Sequence, residues 1–100
     1  MFRLHRTGHV SRGKALEGIK WAKEVAEYIN ARYAPISVQA YSEIFGAIGT
    51  VHWYADYEDL ATLERFNGQL LMDQEYQALI SKATDLFIEG SFHDTLIQSL

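Results

Sequence analysis

The sequence predicts an α+β fold in which two helical regions cover one face of a four-stranded antiparallel sheet. Apolar residues alternate with polar ones in four short runs, as in half-buried strands, and recur at three- and four-residue steps in longer runs, as in amphipathic helices. The runs follow the order β-α-β-β-α-β, which is the ferredoxin-like arrangement. A chain of 100 residues is long enough for one core and too short for two, so residues 1–100 are predicted to form one domain.

The first strand and the first helix are predicted from the opening third of the chain. The strand runs from Phe2 to Val10, with Phe2 and Leu4 on one side and Arg3, His5, Thr7 and His9 on the other. Ser11 can cap the helix that follows, whose apolar stripe is Leu16, Ile19, Ala22, Ala26, Ile29 and Tyr33. Pro35 disfavours helical geometry in the residue before it, so this helix is expected to end near Arg32.

Two strands joined by a short hairpin are predicted next. In ISVQAYSEI, apolar Ile36, Val38, Ala40 and Ile44 alternate with Ser37, Gln39, Tyr41 and Glu43. In TVHWYAD, apolar Val51, Trp53 and Ala55 alternate with Thr50, His52, Tyr54 and Asp56. The stretch FGAIG between them supplies the glycines of a short connection. If the apolar sides share a face, either Tyr41 or Glu43 lies opposite His52, depending on which residues form the loop.

The second helical region is predicted in two segments. Asp56 can cap the first segment, with Asp59 in its first turn, where the helix dipole favours a carboxylate. Asp73 can cap a further helix that ends at Gly90, a residue that readily takes the left-handed conformation of helix ends. The final run, SFHDTLIQSL, is predicted to form the fourth strand.

One face of the predicted sheet is covered by helices, and the other is unusually aromatic. That second face carries Tyr41, Tyr54, His5 and His52 instead of a solvating row of Lys and Glu. Large aromatic area left in water is typical of an interaction surface, so we expect a homodimer whose sheets pack face to face.

Composition argues against several classes of function. The net charge is -4 and the basic residues are scattered, whereas nucleic-acid binding normally needs a basic face. There is no cysteine, which rules out disulfides, thiol nucleophiles and thiolate metal sites. No apolar run has the length of a signal peptide core or a membrane span. These features predict a cytoplasmic protein with neither nucleic acid nor membrane as partner.

The element order, together with RFNGQLLMDQEYQALISKATDLFIEGSFHDTL, resembles the dimeric α+β barrel proteins. Within that superfamily the chain is similar to the NIPSNAP-like and antibiotic-biosynthesis-monooxygenase-like small proteins. The resemblance implies a barrel formed between two subunits, with pockets between sheet and helices or inside the barrel. The activities of that superfamily rest on different residues in different branches, so no catalytic motif transfers position by position.

His52 is the best catalytic candidate in the sequence. A carboxylate beside it, such as Glu43, would hold one ring nitrogen and raise the basicity of the other, as in a general base. The ligand-pocket candidates on the same predicted face are His5, Tyr41, Glu43, His52 and Tyr54. The alternative is that His52 is buried in a dimer interface with its hydrogen bonds satisfied.

Other side chains are weaker candidates for chemistry. His5 and His9 would lie about 13 Å apart along one strand, too far to share an ion, and neither a metal nor another cofactor is predicted. Trp21, Tyr28 and Trp53 could line an apolar pocket beneath the first helix or could simply be core. Arg3 and Arg6 could bind a ligand carboxylate or form salt bridges.

The residues leave three functions open. The first is an uncharacterised NIPSNAP-like homodimer that binds a small hydrophobic or aromatic molecule in or beside the barrel. The second is a cofactor-independent monooxygenase or isomerase acting on a hydrophobic substrate, with His52 as base and Tyr54 or Tyr41 stabilising an oxyanion. The third is a structural or partner-binding dimer without catalysis.

Overall fold

A computed structural model describes all 100 residues, from Met1 to Leu100. In chain order the elements are β1 Phe2–His9, α1 Ala15–Arg32, β2 Val38–Ser42, β3 Thr50–Tyr57, α2 Leu60–Met72, α3 Gln74–Ser81, α4 Ala83–Leu86 and β4 His93–Gln98. The strands form one sheet in the order β2-β3-β1-β4, and every neighbouring pair is antiparallel. The predicted ferredoxin-like α+β fold is therefore confirmed. No helix combines the length and apolar character needed to cross a membrane.

The helices pack on one face of the sheet, which we call the helix face. Alternate residues of β3 point into it and are at most 7% exposed: Val51, Trp53, Ala55 and Tyr57. The buried stripe of α1 lies against them and comprises Gly18, Trp21, Ala22, Val25, Ala26 and Ile29. The Trp53 indole donates to the carbonyl of Ala22 at 3.1 Å, which fixes α1 over the centre of the sheet.

The opposite side of the sheet, which we call the open face, bears no helix. It consists of the other alternate residues of the four strands: Arg3, His5, Thr7, His9, Gln39, Tyr41, Thr50, His52, Tyr54, Asp56, His93, Thr95 and Ile97. The predicted division of β1 and β3 into these two faces is the one observed, since side chains alternate along a strand.

The start of α1 differs from the prediction. Ser11 does not cap the helix, which begins four residues later at Ala15 with no side-chain cap. Val10 and Ser11 are bound to other parts of the fold, because Val10 donates its N–H to the carbonyl of Gly49 and Ser11 donates to that of Leu86. A turn at Gly13, whose φ is 81°, then leads into the helix. The predicted end of the helix at Arg32 is confirmed.

The capping residues of the second helical region are Asp59 and Asp73. Asp59 accepts from the N–H of Thr62 at 2.8 Å, whereas Asp56, the predicted cap, is still in β3. The strand runs past Asp56 because Tyr57, only 3% exposed, continues its buried row. Asp73 caps α3 as predicted, accepting from the N–H of Tyr76 at 3.0 Å.

The last helical segment is shorter than the sequence pattern indicates. The pattern predicts one helix from Asp73 to Gly90, but the structure breaks it at Lys82 into α3 and α4 and ends α4 at Leu86. Phe87 then adopts an extended conformation and forms a bridge with Val10. Both residues are buried, at 4% and 5% exposure, so core packing overrides the helical period there.

Candidate functional site

The five predicted ligand-pocket residues form one contiguous group on the open face, which we call the open-face cluster: His5, Tyr41, Glu43, His52 and Tyr54. His52 Nε2 lies 2.7 Å from a carboxylate oxygen of Glu43, and His52 Nδ1 lies 2.8 Å from Nε2 of His5. The ring of His5 stacks on that of Tyr54 with centroids 4.4 Å apart, and Tyr41 meets Tyr54 edge-on at 5.8 Å. The structure thus brings together residues from three strands and a loop.

The hairpin register explains how both Tyr41 and Glu43 come to neighbour His52. Tyr41 lies directly opposite His52, one of the two predicted registers. Glu43 follows Tyr41 by two residues along the chain and donates its N–H to the carbonyl of Thr50. Its side chain reaches diagonally back across the hairpin to His52. Its other oxygen accepts the N–H of Ala47 at 2.8 Å. These two hydrogen bonds, first from His52 and then from Ala47, lower the pKa of Glu43.

The Glu43 carboxylate determines the donor and acceptor roles within the cluster when His52 is neutral. The Glu43 carboxylate can only accept, so His52 donates from Nε2. In a neutral His52 the other nitrogen, Nδ1, is then an acceptor, and His5 donates to it from Nε2. Both nitrogens of His52 are therefore occupied, and Nδ1 of His5 is the free proton-accepting atom at the end of the chain Glu43–His52–His5.

Protonation of His5 is disfavoured in the folded protein. Burial is the main cause of its lowered pKa, followed by repulsion from His52 and then from His93. The unfolded chain thus binds this proton more readily, so the contribution of His5 to stability is present above its ordinary pKa of 6.5 and is lost as the pH falls below it.

We therefore expect the free energy of unfolding to be lower at pH 5.5 than at pH 8, and His5→Asn to reduce this difference. Urea denaturation of both proteins at the two pH values measures it. The carboxylates titrate below this pH range, because the unperturbed pKa of a Glu side chain is 4.5. An unchanged difference in His5→Asn would contradict the role of His5.

The two arginines weighed as carboxylate binders form salt bridges within the chain. Arg3 binds Asp56 through two hydrogen bonds of 2.8 and 3.0 Å on the open face. Arg6 binds Asp94 in the same way at 2.6 and 2.8 Å on the helix face. His9 lies beside Thr50, with Nδ1 3.1 Å from the hydroxyl oxygen. No group of three or more His, Asp or Glu side chains is arranged to hold a metal ion.

A cavity of about 420 Å³ lies between the helices and the sheet, and we call it the inner cavity. Fifteen of its nineteen lining residues are hydrophobic. Trp21 and Trp53 line the cavity, as expected if the aromatic residues named from the sequence form an apolar pocket. Tyr28 does not line it, and its hydroxyl donates to Asp73 instead. A site of this size and apolar character is typical of small-molecule binding.

Sequence reasoning named Arg6 as a candidate ligand binder but did not place it, or any other polar residue, in the inner cavity. The polar lining residues are Arg6, Asn67, Asp94 and His93, the first residue of β4, and the phenols Tyr57 and Tyr76 are among the remaining lining residues. Tyr57 had a detectable signal, because it extends the alternation Val51, Trp53, Ala55 by one step. The pairing of Arg6 with Asp94 had no detectable signal in the sequence, because it depends on the register between β1 and β4.

Solved structures share this fold. A NIPSNAP domain protein from Burkholderia xenovorans is 17% identical with a TM-score of 0.83, covering 100% of this chain and 95% of that one. A NIPSNAP family protein from Agrobacterium tumefaciens is 21% identical with a TM-score of 0.79, covering 99% and 92%. An antibiotic biosynthesis monooxygenase is 11% identical with a TM-score of 0.73, covering 100% and 99%. The predicted resemblance is thus confirmed at the level of fold.

Sequence comparison adds the family but no activity. No curated protein matches the chain. One family model does match, over residues 2–98 and so over nearly the whole sequence. The chain belongs to this family, a family of unknown function designated DUF6039.

Proposed function

We propose that this NIPSNAP-like protein is a homodimer that binds a small hydrophobic or aromatic molecule in the inner cavity. The observation that carries ligand binding is the cavity itself, about 420 Å³ and lined mainly by apolar side chains. The cavity is partly open to solvent, so a molecule can enter it, and its apolar lining would otherwise be left in contact with water. Concave, mainly apolar sites of this size are typical of small-molecule binding.

The surface area of the chain supports the dimer. The single chain exposes 6837 Å², whereas a compact monomer of 11.4 kDa exposes roughly 5,800 Å². The excess, about 1,000 Å² on that scaling, is close to the ~800 Å² that each partner buries in a standard interface. All six residues of β4 are exposed, although β4 belongs to the sheet. A second copy on the open face would bury part of this excess, including the three open-face residues of β4, His93, Thr95 and Ile97.

The charges of the open face suit a copy of itself. In a two-fold interface the same patch meets its twin, so a patch with one dominant sign of charge would repel its partner. Here Arg3 is paired with Asp56, and Glu43 with His52, within the same face. The large apolar side chains that stay exposed on it are Tyr41, at 58%, and Ile97, at 54%.

Replacing either of these side chains with a cation is expected to disrupt the dimer. In Ile97→Arg or Tyr41→Arg each two-fold interface would gain two buried charges, which should weaken association at least about tenfold, since an unpaired buried charge costs several kcal/mol. Sedimentation equilibrium measures the dissociation constant.

Leu16→Arg is the matched control for these variants. Leu16 lies on α1 and is 86% exposed, so this substitution is also apolar to cationic but lies away from the open face. The dimer should be retained in Leu16→Arg. Equal weakening in all three variants, or a monomeric native protein, would contradict the proposed interface.

Native mass spectrometry of the purified protein tests both parts of the proposal. We expect a species of twice the chain mass, part of it carrying an additional mass below about 500 Da, the range of ligands that such pockets enclose. Detection of the monomer alone would contradict the proposed dimer. A dimer from which no small molecule is released, and which binds none offered to it, would favour the purely structural alternative.

A second candidate is base catalysis on the open face, supported by the chain Glu43–His52–His5. A depression of about 350 Å³ adjoins it, lined by Arg3, Gln39, Tyr41, His52 and Tyr54. His5 does not line this depression but contacts His52 and Tyr54, which do. For a substrate that extends past these two rings, Nδ1 of His5 would take a proton from a carbon or hydroxyl, while His52 and Glu43 position the imidazole of His5. In an isomerisation the proton returns to another atom of the substrate. In a monooxygenation the deprotonated substrate would supply the electrons to molecular oxygen, one oxygen atom entering the substrate as a carbonyl and the other leaving as water. One protein that shares the fold, an antibiotic biosynthesis monooxygenase, is consistent with this chemistry.

Conversion of a ligand identified by mass spectrometry would test the catalytic candidate. His5→Asn and His52→Asn should both lower its rate by about 10²-fold or more, the usual size of general-base catalysis. Glu43→Gln, which retains the shape of the side chain, should lower it less. If His52→Asn alone were inactive and His5→Asn fully active, His52 would be the base that its sequence context predicts.

A further inference from the structure

Two buried tyrosines of the helix face have hydroxyls without a hydrogen-bond partner. Tyr57 is 3% exposed and Tyr76 is 8% exposed, yet neither hydroxyl bonds to the protein, whereas those of Tyr28 and Tyr33 both bond to Asp73. No fully enclosed side-chain nitrogen or oxygen lacks a partner, so each of these two hydroxyls adjoins open space. Both residues line the inner cavity. Buried phenols normally have a partner.

Arg6 adds further donors at the same cavity. Its Nε and Nη2 atoms bond to Asp94, which leaves Nη1 without a partner. Burial raises the pKa of Tyr57 to about 12 and also raises the pKa of Tyr76, while the nearby Arg6 guanidinium partly opposes both changes. Both phenols therefore keep their protons at neutral pH and can donate.

We propose that Tyr57, Tyr76 and Arg6 form a donor site in the inner cavity that binds the carbonyl oxygen of a neutral aromatic ligand. This inference rests on the proposed function, ligand binding in the inner cavity. All three residues line the cavity, Arg6 lies near both phenols, and each offers a donor, so the polar end of the ligand must supply an acceptor. The aromatic part would contact the rings that line the same space, among them Trp21, Trp53, Phe66 and Phe92.

The charge balance favours a neutral ligand over a carboxylate. The positive charge of Arg6 is already matched by Asp94, which itself lines the cavity. A carboxylate would introduce an unmatched negative charge beside Asp94 in a largely apolar space, which is costly. A ketone or quinone oxygen accepts from the same donors without that cost.

Three compounds with nearly the same body test this inference: benzophenone, diphenylmethane, which lacks the oxygen, and diphenylacetate, which carries a carboxylate. Trp21 and Trp53 line the cavity, so their fluorescence reports binding. Benzophenone should bind at least about fivefold more tightly than diphenylmethane, the gain expected from one net hydrogen bond, and more tightly than diphenylacetate. Photo-crosslinking of benzophenone followed by peptide mass spectrometry should label residues that line the inner cavity.

Removal of single hydroxyls identifies the donors. Tyr57→Phe and Tyr76→Phe should each weaken benzophenone binding by about fivefold and leave diphenylmethane binding unchanged. The matched control is Tyr28→Phe, which removes a hydroxyl that bonds to Asp73 and does not line the inner cavity, and it should leave both affinities unchanged. Thermal unfolding of each variant establishes that the fold is retained.

The outcomes separate this inference from the proposed function. If benzophenone and diphenylmethane bind equally in the cavity and the phenylalanine variants change neither, the donor site is wrong although ligand binding stands. Tightest binding of diphenylacetate would overturn the preference for a neutral ligand. If none of the three compounds binds, the inference fails together with the proposed function of the cavity.

Discussion

Asp73→Ala is expected to lower the unfolding temperature by about 10 °C, more than any other single substitution of a surface carboxylate in this protein. The side chain of Asp73 caps α3 by accepting from the N–H of Tyr76. It also accepts from the hydroxyls of Tyr28, at 2.9 and 2.8 Å, and Tyr33, at 2.6 Å. One carboxylate thus joins α1 and the residue after it to the start of α3. Differential scanning calorimetry measures the change.

Asp59→Ala is the matched control, because Asp59 caps α2 but bonds only to Thr62. We expect it to lower the unfolding temperature by about 5 °C, the effect of a lost cap alone. Similar losses in the two variants would show that the tyrosine hydrogen bonds add nothing to the cap.

The lowered pKa of Asp73 also predicts that the stability of the protein falls at acid pH. Hydrogen bonds from Tyr33, then from the N–H of Tyr76 and from Tyr28, lower its pKa from 3.8 to about 2. The unfolded chain binds this proton more readily, so the stability that Asp73 contributes is present above pH 3.8 and is lost as the pH falls towards 2. Asp73→Ala should therefore be less sensitive than the native protein to acidification across this range.

Substitution of two helical glycines by alanine is expected to have opposite effects. A Cβ atom on Gly18 would lie 2.3 Å from Cγ1 of Val10, which is buried and cannot move aside easily. Gly18→Ala should therefore lower the free energy of unfolding by about 1–2 kcal/mol, because the cost of overpacking exceeds the gain from the higher helix propensity of alanine. A Cβ atom on Gly68 would meet no other atom within 4 Å, so Gly68→Ala should raise the free energy of unfolding by about 0.5–1 kcal/mol. Chemical denaturation measures both.

A double variant tests the reason for the loss. In a Val10→Ala background the clashing methyl group is absent, so adding Gly18→Ala should no longer be destabilising. If Gly18→Ala destabilised equally in both backgrounds, the contact with Val10 would not be the cause.

The candidate site was only partly predictable, and the residues show why. His5, Tyr41, His52 and Tyr54 share the open face because alternation along each strand puts them there, and alternation can be read from neighbouring residues. The sequence placed Glu43 near His52 as one of two alternatives, and the observed contact is a diagonal one across the hairpin. The extension of this pair to His5 could not be derived, because the contact of His5 with His52 depends on the pairing of β1 with β3. The base that we propose at the end of that chain is consequently His5, which sequence reasoning treated only as a pocket residue.

By itself, the sequence determined the order of the elements, the two faces of the first three strands and the break in the second helical region at Asp73. All of these follow from the spacing of apolar residues and from one capping side chain, which act over a few residues. Only the tertiary structure decided that the strand runs past Asp56, that α1 begins after Lys14, and that Arg6, Tyr57 and Tyr76 border one cavity. These features depend on contacts between residues far apart in the chain, whose energies local periodicity does not encode.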